Sequence, residues 1–226
     1  MKLEKRTKSG EPSDKRWYDD ACGTALALEF VGERWSLLVM RELAYGPRRF
    51  GEIRANLPGI SANVLTQRLN GLEAADILTR QRLASPANVQ VYELTPWGHE
   101  AQVVMRALGR WAARSPRHDP FLFMSPASAM MSLQTLGDAA AARQAMCVAF
   151  RFPDDSFVVR VGDGRIDVAR GTVADPHLTF TGDTMAMRVT IYGKRPPGSE
   201  GALAMTGNPA IAAAFIDLFR LPDKAT

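Results

Sequence analysis

Two cysteines in 226 residues, Cys22 and Cys147, are too few and too far apart for a disulfide framework, and neither belongs to a Cys-x-x-Cys pair of the kind that holds zinc. Histidine is almost as scarce. His99, His118 and His177 show no spacing that suggests a metal site or a catalytic triad. The glycines of "GDGRID" suit a hairpin turn better than a phosphate-binding loop. Neither an enzyme nor a metal or organic cofactor is therefore expected. No apolar run approaches the roughly 20 residues of a membrane span, and the charged opening "MKLEKRTKSGEPSDKRW" lacks the apolar core of a signal peptide. These absences point to a cytoplasmic chain with reduced thiols and no membrane partner.

Charge is present but unevenly placed. Residues 1–116 hold 17 Lys and Arg against 13 Asp and Glu, while residues 117–226 hold 11 of each, so the whole net charge of +4 lies in the first half. An excess of that size suits an ordinary solvated surface as readily as a polyanion partner. Prolines 116, 120 and 126 crowd the segment "SPRHDPFLFMSPA" after a long helical pattern, and proline ends helices. The expected organisation is a flexible arm over 1–18, a first domain over 19–114, a linker over 115–127 and a second domain over 128–226.

Within the first domain, "DACGTALALEFV" and "ERWSLLVMRELA" place Leu28 and Val31, then Trp35, Leu38, Val39 and Leu43, at the spacing of buried helical stripes. The spacing predicts a short third helix with Phe50, Ile53 and Leu57 inward. After the turn "PGIS", Ser61 is placed to cap a fourth helix, its hydroxyl accepting a free first-turn amide. Leu65, Leu69 and Leu72 share one face of that helix, and Asn63, Gln67 and Asn70 fall on the other. Such a face normally carries Lys and Glu. Next, "LTRQRLAS" and "VQVYEL" alternate as a β-hairpin with polar members Arg80, Arg82, Asn88 and Gln90. Thr95 and Pro96 open a last helix, "WGHEAQVVMRALGRWAAR". Short helices, one with an amide-rich outward face, followed by a basic hairpin, describe a winged helix-turn-helix.

The motifs "GERW", "GPRRFGEI" and "GIS" followed by "VLTQRL", with Cys22 near the start of the first helix, resemble in kind and order the HxlR family of bacterial winged-helix transcriptional regulators, over about residues 21–113. The resemblance implies a homodimer that binds a double-stranded DNA operator, usually as a repressor. The chemistry points the same way. Asn and Gln can pair with adenine in the major groove, and Ser or Thr can reach several base edges, whereas cations mainly bind phosphate anywhere. Ser61, Asn63, Thr66, Gln67 and Asn70 are therefore the expected base-reading set. Arg48, Arg49, Arg80 and Arg82 are expected at phosphates or in the minor groove, with Asn88 and Gln90 on the wing. Arg68 lies nearer the buried flank and could equally tie the helix to a neighbour. Cys22 reads first as a small buried apolar residue; the other reading is a thiol activated by the helix start, which senses oxidants or electrophiles.

The second half extends beyond the usual pattern of that family. Runs "AMCVAFRF", "SFVVRV", "RIDVAR" and "HLTFT" read as strands, followed by a helix "DTMAMRVTIYG", a strand "GALAMTG" and a helix "NPAIAAAFIDLF". Cys147, at the start of the first run, reads as packing. This half is an α+β domain, similar to the sterol-carrier-protein-like domains over about residues 125–222, so the whole chain is of α+β class. That resemblance implies an apolar or aromatic effector held between sheet and helices. Met130, Phe180, Met185, Val189, Phe215 and Phe219 are the candidate ligand-binding residues, and core packing explains the same residues equally well. The alternative is a redox-sensing regulator acting through Cys22, with the second domain serving only dimerisation or partner binding.

Overall fold

The computed structural model describes residues 18–82 and 89–226. Nearly all of the expected N-terminal arm and the wing tip with Asn88 lie outside the described residues. The first half contains α1 (Gly23–Val31), α2 (Ser36–Leu43), α3 (Phe50–Ala55), α4 (Ala62–Ala74), β1 (Leu78–Arg82), β2 (Gln90–Leu94), α5 (Pro96–Glu100) and α6 (Gln102–Ala113). Strands β1 and β2 pair antiparallel with Leu78 opposite Leu94. A backbone bridge between Arg48 and Tyr92 ties the segment before α3 to this ribbon. Val39, Met40, Leu43, Ile53, Leu57, Leu65, Leu69 and Leu72 are buried together, so the leucine face of α4 forms part of this core.

Two expectations about this half need correction. Leu28 and Leu38 are 50% and 39% exposed, so neither takes the buried place its spacing predicts, and Leu38 instead borders an open cleft. The last helix is also divided. Ala101, at φ −64° and ψ −11°, separates α5 from α6, and the first turn of α5 is docked against the end of the hairpin at Ile77.

The second half contains α7 (Pro126–Leu136), a 3-10 turn (Ala139–Ala141), β3 (Met146–Arg151), β4 (Ser156–Gly162), β5 (Arg165–Arg170), β6 (Leu178–Thr181), α8 (Thr184–Ile191), β7 (Ala204–Gly207) and α9 (Pro209–Asp217). Its sheet runs β5-β4-β3-β6-β7, with β3 and β6 parallel and the other pairs antiparallel. The "GDG" turn joins β4 to β5 with Asp163 and Gly164 both at positive φ, the backbone a tight two-residue hairpin requires. Phe150, Phe157, Phe180, Phe215 and Phe219 are fully buried between the sheet and its helices.

Helix α7 has no clear period in the sequence because it is buried on more than one side. Met130 and Leu133 belong to the core of the second half, whereas Met131 belongs to that of the first. Ser125 caps it by accepting from the Ser128 amide at 3.1 Å, two residues before the end of the expected linker. Further contacts join the halves. The Tyr45 hydroxyl donates to Gln134 Oε1 at 2.7 Å, and its ring stands edge-on to Phe157 at 5.7 Å. Ser125 Oγ donates to Glu42 Oε1 at 2.7 Å, and Arg48 is ion-paired with Asp155 of the β3–β4 turn. Among the described residues no helix is long and apolar enough to cross a membrane.

Candidate nucleic-acid interface

Helix α4 starts as its sequence requires. Ser61 is extended at φ −79° and ψ 154°, and its hydroxyl accepts from the Val64 amide at 3.2 Å. Burial of Leu65, Leu69 and Leu72 turns the opposite face outward, so Ser61, Asn63, Thr66, Gln67 and Asn70 are all exposed. They are not equally free. Thr66 Oγ1 donates to the Ala62 carbonyl at 2.9 Å, and Asn70 Oδ1 accepts from Arg80 at 2.8 Å. No hydrogen bond within the described residues engages the side chains of Asn63 and Gln67, which leaves donor and acceptor available on both amides.

The arginines divide into two groups. Arg49 and Arg82 are exposed and form no ion pair within the described residues. Arg80 donates to Asn70 and to Glu73 at 2.8 Å, with its guanidinium 5.4 Å from the Tyr92 ring centroid, so it joins the end of α4 to the hairpin. Gln90 Nε2 donates to the Tyr92 hydroxyl at 2.8 Å. Arg48 departs from the expectation of a phosphate contact. Only 12% of its side chain is exposed, and its charge is matched by Asp155 and, at 3.8 Å, by Glu52. Arg68 pairs with Glu33 at 2.9 Å, tying α4 to the turn between α1 and α2.

Cys22 is not the buried packing residue of the first sequence reading. It is exposed immediately before α1, where the Thr24 amide, the Thr24 hydroxyl and the Ala25 amide favour the thiolate and pull its pKa below the ordinary thiol value. Cys147 is half-buried on β3. Among the described residues no group of three His, Cys, Asp or Glu is arranged to hold a metal ion.

The candidate ligand residues also separate. Met130, Phe180, Phe215 and Phe219 are 0% exposed, and neighbouring rings lie 4.9–6.2 Å apart, so these side chains fill the space between sheet and helices. Met185 and Val189 instead line a cleft of about 740 Å³ bounded by α2, α6, the 118–124 segment, α7 and α8. Sequence periodicity could not show this cleft, because its lining is drawn from separate elements spread along the chain from Leu37 to Leu221.

Residues 30–119 match the family model described as HxlR-like helix-turn-helix. The chain is 37% identical over 86 residues to the HTH-type transcriptional regulator YodB of Bacillus subtilis (strain 168), covering 38% of this chain and 77% of that protein. It is 32% identical over 95 residues to the uncharacterized HTH-type transcriptional regulator YtfH of Escherichia coli (strain K12), covering 42% of this chain and 75% of the relative. An uncharacterized regulator of Mycobacterium tuberculosis (strain ATCC 25618 / H37Rv) is 39% identical over 85 residues, but only 53% of its length is covered. The solved reduced form of YodB from B. subtilis is 33% identical, with 44% of this chain and all of that chain covered at a TM-score of 0.40. Through its winged helix-turn-helix half, the chain belongs to the HxlR-like family of DNA-binding transcriptional regulators.

Proposed function

We propose that the protein is a sequence-specific repressor of bacterial, cytoplasmic location that reads a pseudo-palindromic operator as a homodimer. The observation that carries this reading is the exposed, uncharged face of α4, on which Asn63 and Gln67 keep their amides unengaged. Base edges are what amides can read, and Ser61, Thr66 and Asn70 complete the reading face. Arg49, Arg80 and Arg82 flank it as phosphate or minor-groove contacts, with Asn88 and Gln90 on the wing; Arg48 acts instead at the domain junction. In a two-fold dimer the recognition helices enter successive major grooves about 34–36 Å apart. The exposed Leu26 and Leu28 of α1 and Val103, Val104, Leu108 and Trp111 of α6 supply an apolar face for that dimer.

Replacing Asn63 and Gln67 with alanine tests the base-reading role. The ratio of operator to random-DNA affinity is expected to fall by about 1–3 kcal/mol per lost bidentate contact, read by fluorescence anisotropy at fixed salt. An unchanged ratio would remove both residues from the reading face.

The second half, from residue 128, acts in this reading as the sensor, following its resemblance to sterol-carrier-protein-like domains. An effector bound there shifts operator affinity only as far as it binds the competent and incompetent dimers differently. A second reading is favoured by the exposure and lowered pKa of Cys22: oxidation or alkylation of this thiol controls DNA binding, and the second half serves assembly.

A further inference from the structure

We propose that the cleft between the winged-helix half and helices α7 and α8 binds an apolar molecule carrying one anionic group, with Arg188 as its counter-ion. This rests on the reading of the second half as a sensor, but it places the ligand at the junction rather than inside the sheet-and-helix core. That core is already filled by its own aromatic rings. The cleft, at about 740 Å³, has the size of a small-molecule site, typically about 300–1,000 Å³. Leu37, Met105 and Leu108 form one wall, and Met131, Met185 and Val189 form the other.

The charge of the ligand follows from Arg188. It lines the cleft, is only 8% exposed, and has no carboxylate within ion-pair distance among the described residues. Its Nε donates to the Thr184 carbonyl at 3.2 Å, and its Nη1 donates to the carbonyls of Pro120 and, at 2.7 Å, Leu122. Among the described residues no hydrogen bond engages Nη2. Carbonyls satisfy donors but do not neutralise a charge, and burial of an unneutralised cation is unfavourable. Burial accordingly lowers the Arg188 pKa, with Asp183 and Asp119 opposing from a distance. Arg195 also lines the cleft, against the single lining acid Asp119, whereas the lining Arg41 is already paired with Glu42 at 2.8 Å, so the cleft offers an anion Arg188 and Arg195.

The same guanidinium provides the coupling. Through Pro120 and Leu122 it holds the segment that leaves α6, and Thr184 Oγ1 holds the same segment at the Met124 carbonyl at 2.8 Å. An anion on Arg188 therefore competes with, or reinforces, the clamp that positions the exposed apolar face of α6. Ligand binding and dimer geometry are linked through one side chain.

The test uses the full chain and 1-anilinonaphthalene-8-sulfonate, which combines aromatic rings with one sulfonate. The dye should bind with enhanced fluorescence, and dodecanoate should displace it at least about tenfold more effectively than dodecanol, the scale of one charge-assisted hydrogen bond. Arg188→Gln should abolish the preference for acid over alcohol. Val189→Trp and Ser128→Trp should each fill the cleft from a different helix and prevent dye binding while DNA binding by the folded chain persists. Equal displacement by acid and alcohol would overturn the proposal, as would dye binding that survives both tryptophan variants or appears only when the chain dissociates to monomers, the last marking the cleft as covered by a second copy. Dodecanoate binding with this signature but no change in operator affinity would leave the site standing and refute the sensor reading.

Discussion

Asp155, in the turn between β3 and β4, holds two arginines from different halves of the chain. It pairs with Arg48, and both of its oxygens accept from Arg170 Nε at 3.1 Å, while its own side chain is 6% exposed. Burial lowers the Arg170 pKa and the Asp155 charge opposes that shift. Asp155→Asn should cost about 3–5 kcal/mol in urea unfolding, since it strands Arg170 and leaves Arg48 with only the more distant Glu52. Nothing in "RFPDDSF" distinguished Asp155 from its neighbour Asp154; the approach of Arg48 and Arg170 does so. Cys22 is the other residue whose role depended on its surroundings. Its lowered pKa predicts that iodoacetamide alkylation rises with pH to a half-maximum below the value of about 8.5 for an ordinary thiol. A half-maximum at or above that value would remove the activated-thiol reading.

Helix α4 and the hairpin behave as one element, because Arg80 binds Asn70 and Glu73 and lies over Tyr92. The hairpin is also locked to α5. Thr95 Oγ1 accepts from the Gly98 amide at 3.0 Å, and a Cβ on Gly98 would lie 2.1 Å from the Ile77 carbonyl oxygen. Gly98→Ala must therefore push the helix off the ribbon, at a cost of about 1–3 kcal/mol read as a lowered denaturation midpoint. Local chemistry explains how much of this was legible. The serine cap, the leucine period of α4, the "GDG" hairpin and the proline at the start of α5 each act within a few residues of themselves. The break at Ala101 and the whole of α7 were not legible. One is a change of backbone angle at a single residue, and the other is a helix whose two sides enter two different cores, which removes the polar face that makes a period visible.

At the scale of the molecule, the exposed apolar residues of α1 and α6 form the face assigned to the proposed dimer. Val104→Glu with Trp111→Glu should shift sedimentation toward the monomer, and operator binding should weaken with a steeper dependence on protein concentration. Persistence of the dimer would move its interface elsewhere. The sequence by itself determined the winged helix-turn-helix, the exposed amide-rich face of α4 and the α+β nature of the second half, because caps, turns and hydrophobic periods are short-range properties of the chain. Only the tertiary structure decided that Arg48 serves the domain junction, that the aromatic residues of the second half fill their own core, and that the open space lies between the halves beside an unneutralised arginine. Each of these depends on which distant side chain arrives to share a charge or occupy a volume, and such meetings are set by the packing of whole elements.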